Sequence, residues 1–428
     1  MTEQNVITVL EERGLIEAIT DPELKKMAQD KTKPLKVYCG FDPTAESLHL
    51  GNMVAIMGLA WFQRFHHVPV ALVGGATGMI GDPSGKAQER ALLDAETLQR
   101  NVQGIKKNLE RVLLQDQKSA HPIFLNNYDW FKDFSFITFL REVGKHFRIG
   151  TMLGKESVRA RMQSEEGMSF TEFSYQLLQA YDFLYLFENH GVTVQIGGSD
   201  QWGNITAGCD LVRKLAGAQV FGATIPLLVK SDGQKFGKSE KGAVWLSSEK
   251  LSPYEFYQYL FRVEDRDVVK LLKMLTFMDL QEIHRLEKTM QKEGYVPNTL
   301  QKILAEEVTK LIHGEEGLLK ALQATHAVMP GKLIEGNAEE LRALMKELPS
   351  TKLTKEAVDQ KKVIDVVALA GFLPSKGEVR RLIKNGGLYL NNQKIEDENY
   401  VISSQDYIEG QFLLFAFGKK NKALIEVE

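Results

Sequence analysis

Residues 35–82 read LKVYCGFDPTAESLHLGNMVAIMGLAWFQRFHHVPVALVGGATGMIGD, and this stretch decides the fold class. LKVYCGF (35–41) is a short apolar, β-branched run that ends at Asp42 and Pro43, which predicts a buried strand. From Leu50 to Phe65 apolar residues recur at helical spacing, and VPVALV from Val68 gives a second strand that runs into glycines. The order is strand, loop, helix, strand. A third strand-like run, VTVQI at 192–196, also breaks into glycines and a helix. In an open parallel α/β sheet, ligands gather at the carboxyl ends of such strands, so these glycine-containing loops are where chemistry is expected.

Working outward, residues 95–170 are patterned as apolar helices (VQGIKKNLERVLL, FITFLREVGKHF, SVRARM), too long for an ordinary crossover, and predict a helical insertion. Residues 251–330 are helix-forming with a period near 3.6. Turn signals at Pro330-Gly331 and Pro349-Ser350 bracket a short acidic helix, AEELRALMKEL, so 331–351 is expected to be a linker region and 352–428 a separate small α+β module. The expected division is therefore 1–230 for the α/β domain, 231–250 for a mobile loop, 251–330 for a helical domain, then linker and module.

A chain of 428 residues fits two to three such folding units, and 43% hydrophobic with 25% charged residues excludes a disordered or fibrous protein. The formal net charge is only −3, so a nucleic acid partner must be met by a local patch. Cys39 and Cys209 are too few for a disulfide framework or a four-thiolate metal site and fit a reducing compartment. No apolar run approaches the roughly 18 residues of a membrane helix, and the start MTEQNVITVLEERG carries acids where a signal peptide carries bases. The expected location is the cytoplasm.

Five segments could carry chemistry. In YCGFDPTAESLHLGN (38–52), His49 and Gly51 stand at the start of the predicted helix, where free backbone N–H groups favour a phosphate and Gly51 allows a flat base to approach. GGATGMIGDPSGKAQER (74–90) is not a P-loop, because only three residues, not the four of a P-loop, lie between Gly81 and Gly85 and Ala87 replaces the magnesium-binding Ser/Thr; it is a glycine-rich bend carrying Asp82, Lys86 and Arg90. In SFTEFSYQLLQAYDFLYLF, Ser169 and Glu172 have capping-box spacing, and Tyr175, Gln179 and Asp182 form one polar stripe on an otherwise apolar helix. Such polar groups need partners, either one another or a ligand. IGGSDQWGN (196–204) offers Gly197 and Gly198 for close approach, with Asp200 placed to take ribose hydroxyls and Gln201 beside it. SDGQKFGKSEKG (231–242) carries Lys235 and Lys238 in a flexible composition able to close over a polyphosphate.

With these five in order, the sequence resembles the bacterial-type tyrosyl-tRNA synthetases of class I. HLGN (49–52) and KFGKS (235–239) look like the two class signatures, while YCGFDPT, LVGGATGMIGDPSGK, FSYQLLQAYDF and QIGGSDQWGNITAG resemble the tyrosine branch in particular. The resemblance implies a Rossmann-like catalytic domain, a tyrosine–tRNA ligase activity, and a homodimer formed through the insertion. It implies that Tyr38 and Asp182 hold the phenolic hydroxyl of tyrosine, and that Asp82, Tyr175 and Gln179 surround its ammonium group. Gln195 supports the tyrosine side and Gln201 lies near the reacting carboxyl. Thr44 and His49 meet the ATP phosphates, with Lys86, Arg90, Lys235 and Lys238 around the departing pyrophosphate. Cys39, Gly198 and Asp200 lie along the nucleotide's ribose, and Gly40, Asp42, Gly51 and Asn52 near the bound nucleotide. ATP is then a substrate accompanied by Mg2+, with no tightly bound cofactor, no dedicated metal site and no membrane partner. In the last module, PSKGEVRRLIKNGGLYLNNQKI (374–395) is similar to a small RNA-binding module shared with a ribosomal protein, which implies that Lys376, Arg380, Arg381 and Lys384 contact tRNA(Tyr), extended by Lys419, Lys420 and Lys422.

Asn52 stands where the signature's second histidine usually is, and an amide donates a hydrogen bond without carrying a proton. Phe236 and Gly237 replace Met and Ser while both lysines remain. Two other readings stay open at this point. A nucleotidyltransferase for another small acid would not need residues 352–428, and a non-catalytic RNA-binding descendant would show decayed motifs.

Overall fold

The buried runs at 35–41, 68–73 and 192–196 become the centre of one parallel sheet. Its strands are β1 (Ala18–Ile19), β2 (Lys36–Phe41), β3 (Val68–Val73), β4 (Ile123–Asn126), β5 (Val194–Gly198) and β6 (Phe221–Ile225), in the spatial order β1, β6, β5, β2, β3, β4. All neighbours run parallel except β1, which pairs antiparallel with β6 at the edge. From β2 the chain builds outward through β3 and β4 on one side, and β5 and β6 fill the other. The carboxyl ends of β2 and β5 therefore flank the point where strand order reverses, which is where open α/β sheets bind ligands. Register places Tyr38 beside both Val70 and Gln195.

The computed structural model describes residues 5–30, 32–84, 93–115, 119–163, 167–239, 242–327, 338–418 and 421–428. They divide into two compact units, 1–250 with 263–312, and 251–262 with 313–428. The helical region expected at 251–330 is thus shared between the two rather than standing apart.

Helix Met53–Arg64 buries ten of its twelve residues, Met53 through Gln63 excepting Ala55, as the uniformly apolar sequence requires. Helix Phe170–His190 starts at Ser169, whose hydroxyl accepts from the Glu172 N–H, and stops at Gly191 in the left-handed conformation. Only half of the expected capping box forms: the Glu172 carboxylate instead takes a two-pronged hydrogen bond from the buried Arg161 guanidinium, at 2.7 and 2.9 Å. Leu177 and Phe183 of this helix and Leu211 of helix Trp202–Ala216 share one core with Tyr38 and Leu72.

The span 95–170 is not all insertion. Helix Ala95–Leu113 and strand β4 continue the α/β alternation, and β4 pairs with β3 from Val70–Ile123 to Val73–Asn126. The inserted helices run from Tyr128 to Met162. The four-residue strand, half-buried at the sheet edge, gave too short an apolar run to be recognised beside the long helical pattern.

After the first unit's sheet comes a hairpin, β7 (Lys238–Ser239) with β8 (Gly242–Ala243). In the second unit, β9 (Ser350–Leu353), β10 (Leu388–Leu390), β11 (Gln393–Lys394), β12 (Phe412–Phe417) and β13 (Asn421–Val427) form a sheet ordered β11, β10, β12, β13, β9. Helices Val363–Leu369 and Lys376–Lys384 cover one face around Val366, Val379, Leu388, Phe415 and Ile425. Leu341, Leu344 and Leu348, expected in a linker, are buried with Tyr254, Phe412 and Leu424. That segment is part of a core, because its leucines recur at helical spacing on one face.

Candidate active site

A cleft of about 380 Å³ opens between the carboxyl ends of β2 and β5. Tyr38, Cys39, Gly40, Asp42, Thr44, His49, Gly51 and Asn52 reach it from β2 and the following turn. Asp82 comes from the bend after β3, and Tyr175, Gln179 and Asp182 from the helix stripe. Gln195, Gly198, Asp200 and Gln201 come from β5 and its loop, and Lys235 and Lys238 from the lysine segment. Lys86 and Arg90 lie outside the described residues. Five stretches spread between Tyr38 and Lys238 therefore meet in one hollow.

One end of the cleft is deep and polar. Asp182 is 2% exposed; its carboxylate accepts from Trp130 Nε1 at 2.9 Å and Asn127 Nδ2 at 3.1 Å. Burial pushes the Asp182 carboxyl well above the usual range, against the pull of these two donors. The Tyr38 hydroxyl is buried with no hydrogen-bond partner, and burial followed by the nearby Asp182 raises its pKa. The carbonyl oxygens Gln179 Oε1 and Gln195 Oε1 are likewise buried and unpartnered. Each such group costs about 1–3 kcal/mol if left unsatisfied, so the pocket is built for a molecule with a hydroxyl at one end and N–H donors further out.

Above it the polar groups hold one another. Tyr175 donates to Asp42 Oδ2 at 2.8 Å, Thr77 donates to Asp42 Oδ1 at 2.8 Å, and Asn127 donates to Thr77 Oγ1 at 3.0 Å. Gln201 Nε2 donates to Asp82 Oδ2 at 2.7 Å, while the Ser84 N–H binds Asp82 Oδ1. Asp42 is thus engaged on both oxygens by protein, and it orients Tyr175 and Thr77. Burial, then the neighbouring Asp82, raises the Asp200 carboxyl.

The cations Lys235 and Lys238 line the same cleft as His49. His49 caps the turn Leu50–Asn52: its Nδ1 accepts from the Gly51 N–H at 3.1 Å, and Asn52 Oδ1 accepts from the His49 N–H at 3.1 Å. Asn52 therefore serves as a cap, a task within reach of an amide, which explains how the signature tolerates it. The space over Gly51 is taken by the His49 ring and the Phe236 carbonyl, so this glycine is needed for those neighbours rather than for a base. The lysine segment was expected to be a mobile loop. In the structure Phe236 is 4% exposed, and Val244 and Leu246 form backbone hydrogen bonds to Leu50 and Leu48.

A match to a family model for class I tRNA synthetases (W and Y) spans residues 30–329, and one for a tyrosine–tRNA ligase C-terminal domain spans 340–425. The chain belongs to the tyrosine–tRNA ligase family. It is 60% identical to a tyrosine–tRNA ligase of Protochlamydia amoebophila over 423 residues, covering 99% of both chains. It is 52% identical to a chloroplastic/mitochondrial tyrosine–tRNA ligase of Arabidopsis thaliana, covering 99% of this chain and 84% of that one. A truncated mitochondrial tyrosyl-tRNA synthetase of Aspergillus nidulans superposes with a TM-score of 0.67 at 32% identity, over 76% of this chain and 94% of that one.

For this ligase family member, Asn127 and Trp130 are cleft-supporting residues that the sequence reading missed. They sit just past β4, the strand hidden by its shortness. In the second unit Arg380, Arg381 and Lys384 lie on helix Lys376–Lys384, while Lys376 is tied to Asp365 at 2.7 Å. Lys422 is buried and burial lowers its pKa, so it does not extend an exposed patch; Lys419 and Lys420 lie outside the described residues.

Proposed function

We propose that the cleft carries out the ligase reaction of its family with the division of labour that its geometry favours. The substrate tyrosine places its phenol at Tyr38 and Asp182 and its ammonium group among Asp82, Tyr175 and Gln179. Its carboxylate then attacks the α-phosphorus of ATP, and pyrophosphate leaves. The terminal ribose hydroxyl of tRNA(Tyr) next attacks the carbonyl of the tyrosyl-adenylate, and AMP leaves. Tyr38, Gln179 and Gln195 carry this reading, because their unpartnered buried atoms match a hydroxyl and an ammonium group.

Thr44, His49, Lys235 and Lys238 act on phosphate charge, together with Lys86 and Arg90; catalysis is placement plus cations aimed at the leaving group. No covalent nucleophile takes part: burial pushes both the Cys39 and the Cys209 thiol up to about 12. Asp42, Asp82 and Asp182 are already engaged by protein donors, so Mg2+ is treated as part of the nucleotide substrate. The purified chain with tyrosine and ATP should release about one pyrophosphate per site before tRNA is added. No release would overturn the reading.

Asp182 must be charged to accept the phenol well, and its raised pKa moves that requirement upward in pH. Tyrosine affinity is expected to fall on acidification at a pH clearly above the 3.8 of an ordinary aspartate. Equilibrium binding between pH 4.5 and 8 checks this; a flat profile contradicts it.

Residues 352–428 serve tRNA. Replacing Arg380 and Lys384 with Ala should spare pyrophosphate exchange, weaken tRNA charging, and flatten its salt dependence by roughly one unit of slope for each phosphate left unneutralised. Weakened exchange would argue against this role. The inserted helices leave Phe136, Ile137, Ile149 and Met162 exposed, as is Phe170 at the start of helix Phe170–His190, with Ile137 71% and Phe170 67% accessible. An apolar patch of this kind supports a homodimer. Ile137→Asp with Phe170→Asp should shift the sedimenting species from dimer to monomer, and an unchanged mass would refute the interface. Both thiols are free, which fits a reducing compartment, the cytoplasm. Among the described residues no helix is long and apolar enough to cross a membrane.

A further inference from the structure

We infer that Gly237 is a positioning residue that couples the seating of the lysine segment to the aim of His49. The inference rests on the phosphate-facing roles proposed for His49 and Lys238. Gly237 has φ +84°, and a Cβ added there would lie 2.7 Å from the Gly51 backbone nitrogen and 3.3 Å from both the carbonyl carbon and the Cβ of Leu50. Two backbones thus meet where a side chain would have to push one of them away. The atom it would meet is no bystander: the Gly51 N–H is the donor that holds His49 Nδ1 at 3.1 Å. That bond fixes the ring orientation and leaves the neutral imidazole's proton on Nε2.

The same close approach locates the lysines. The Gly237 carbonyl accepts from the Val244 N–H at 2.9 Å, and the Val244 carbonyl accepts from the Leu50 N–H at 2.8 Å. Lys238, the next residue, lines the cleft. Gly237 is therefore held on one side by the strand that follows and on the other by the turn that carries His49. Displacing it moves a lysine and a histidine together.

Conformation and collision are separable experimentally. Gly233, in the same segment, has the same φ of +84° but nothing within 4 Å of an added Cβ. Asn adopts the left-handed region more readily than Ala yet carries the same Cβ. In tyrosine-dependent pyrophosphate exchange at saturating ATP, Gly237→Ala and Gly237→Asn are both expected to lower kcat at least tenfold. Gly233→Ala should stay within about threefold, and tyrosine Kd within about twofold in all three, which also reports an intact fold. His49→Ala should cost at least fivefold less in the Gly237→Ala background than in the wild type, as residues that touch are non-additive.

Recovery of activity by Asn relative to Ala, or strict additivity with His49→Ala, would overturn the coupling. If His49→Ala and Lys238→Ala alone left exchange unchanged, the phosphate-facing reading beneath it would fall instead.

Discussion

Lys238→Ala should slow tyrosyl-adenylate formation on the order of 10²-fold while leaving tyrosine affinity nearly unchanged. The charge that this lysine meets develops as the bond to the α-phosphorus breaks, so its contribution grows toward the transition state. Lys238 lines the same cleft as Asp182, on β7 directly after Gly237. Lys235 lies close enough to Asp200 to oppose that carboxyl's upward shift, which puts the lysine segment beside the residue assigned to the ribose. Stopped-flow measurement of the first turnover, with tyrosine binding measured separately, distinguishes the cases. A drop in affinity with an unchanged rate would mean that the lysine holds the ground state instead.

The second large effect is expected at Asp182. Asp182→Ala should weaken tyrosine use and narrow the preference for tyrosine over phenylalanine by roughly 5- to 150-fold, the equivalent of the 1–3 kcal/mol that an orphaned buried acceptor costs. On the proposed reading, phenylalanine entering the wild-type pocket denies the Asp182 carboxylate and the Tyr38 hydroxyl their phenol partner. A tyrosyl-tRNA synthetase is the standing illustration of this asymmetry, and it makes a separate editing step unnecessary. Because Asn127 and Trp130 donate to Asp182, the alanine variant also orphans two donors. Asp182→Asn keeps the volume and one acceptor, and should recover the fold while still losing discrimination. A selectivity ratio unchanged in both variants would remove Asp182 from the specificity role.

The cleft was legible in the sequence because its walls are made of strong local signals. Strands β2, β3 and β5 announce themselves as buried apolar runs that stop at aspartate or glycine, and a parallel sheet then brings those stops to one edge. The stripe Tyr175, Gln179, Asp182 was readable from helical period alone, since polar residues at that spacing on an apolar helix share a face. What escaped the reading depended on partners distant in sequence. Glu172 looked like a capping-box glutamate until Arg161, eleven residues earlier, claimed its carboxylate. Asn127 and Trp130 gain their roles only from β4 aligning beside β3, and a four-residue edge strand carries little periodicity. The segment 338–348 has the charges and flanking turns of a linker, but its leucines bury against β12 and β13. Phe236 likewise sat in a composition typical of mobile loops, but its ring is buried and the segment is fastened by backbone hydrogen bonds that no side-chain pattern reveals.

The most direct test is pyrophosphate exchange into ATP by the purified full-length chain, with each of the twenty amino acids supplied in turn. Exchange should rise with tyrosine alone, and phenylalanine should remain near background. Exchange that peaks with a different amino acid, or none with tyrosine, would contradict a hollow in which Tyr38 and Asp182 wait for a phenol beside a nucleotide.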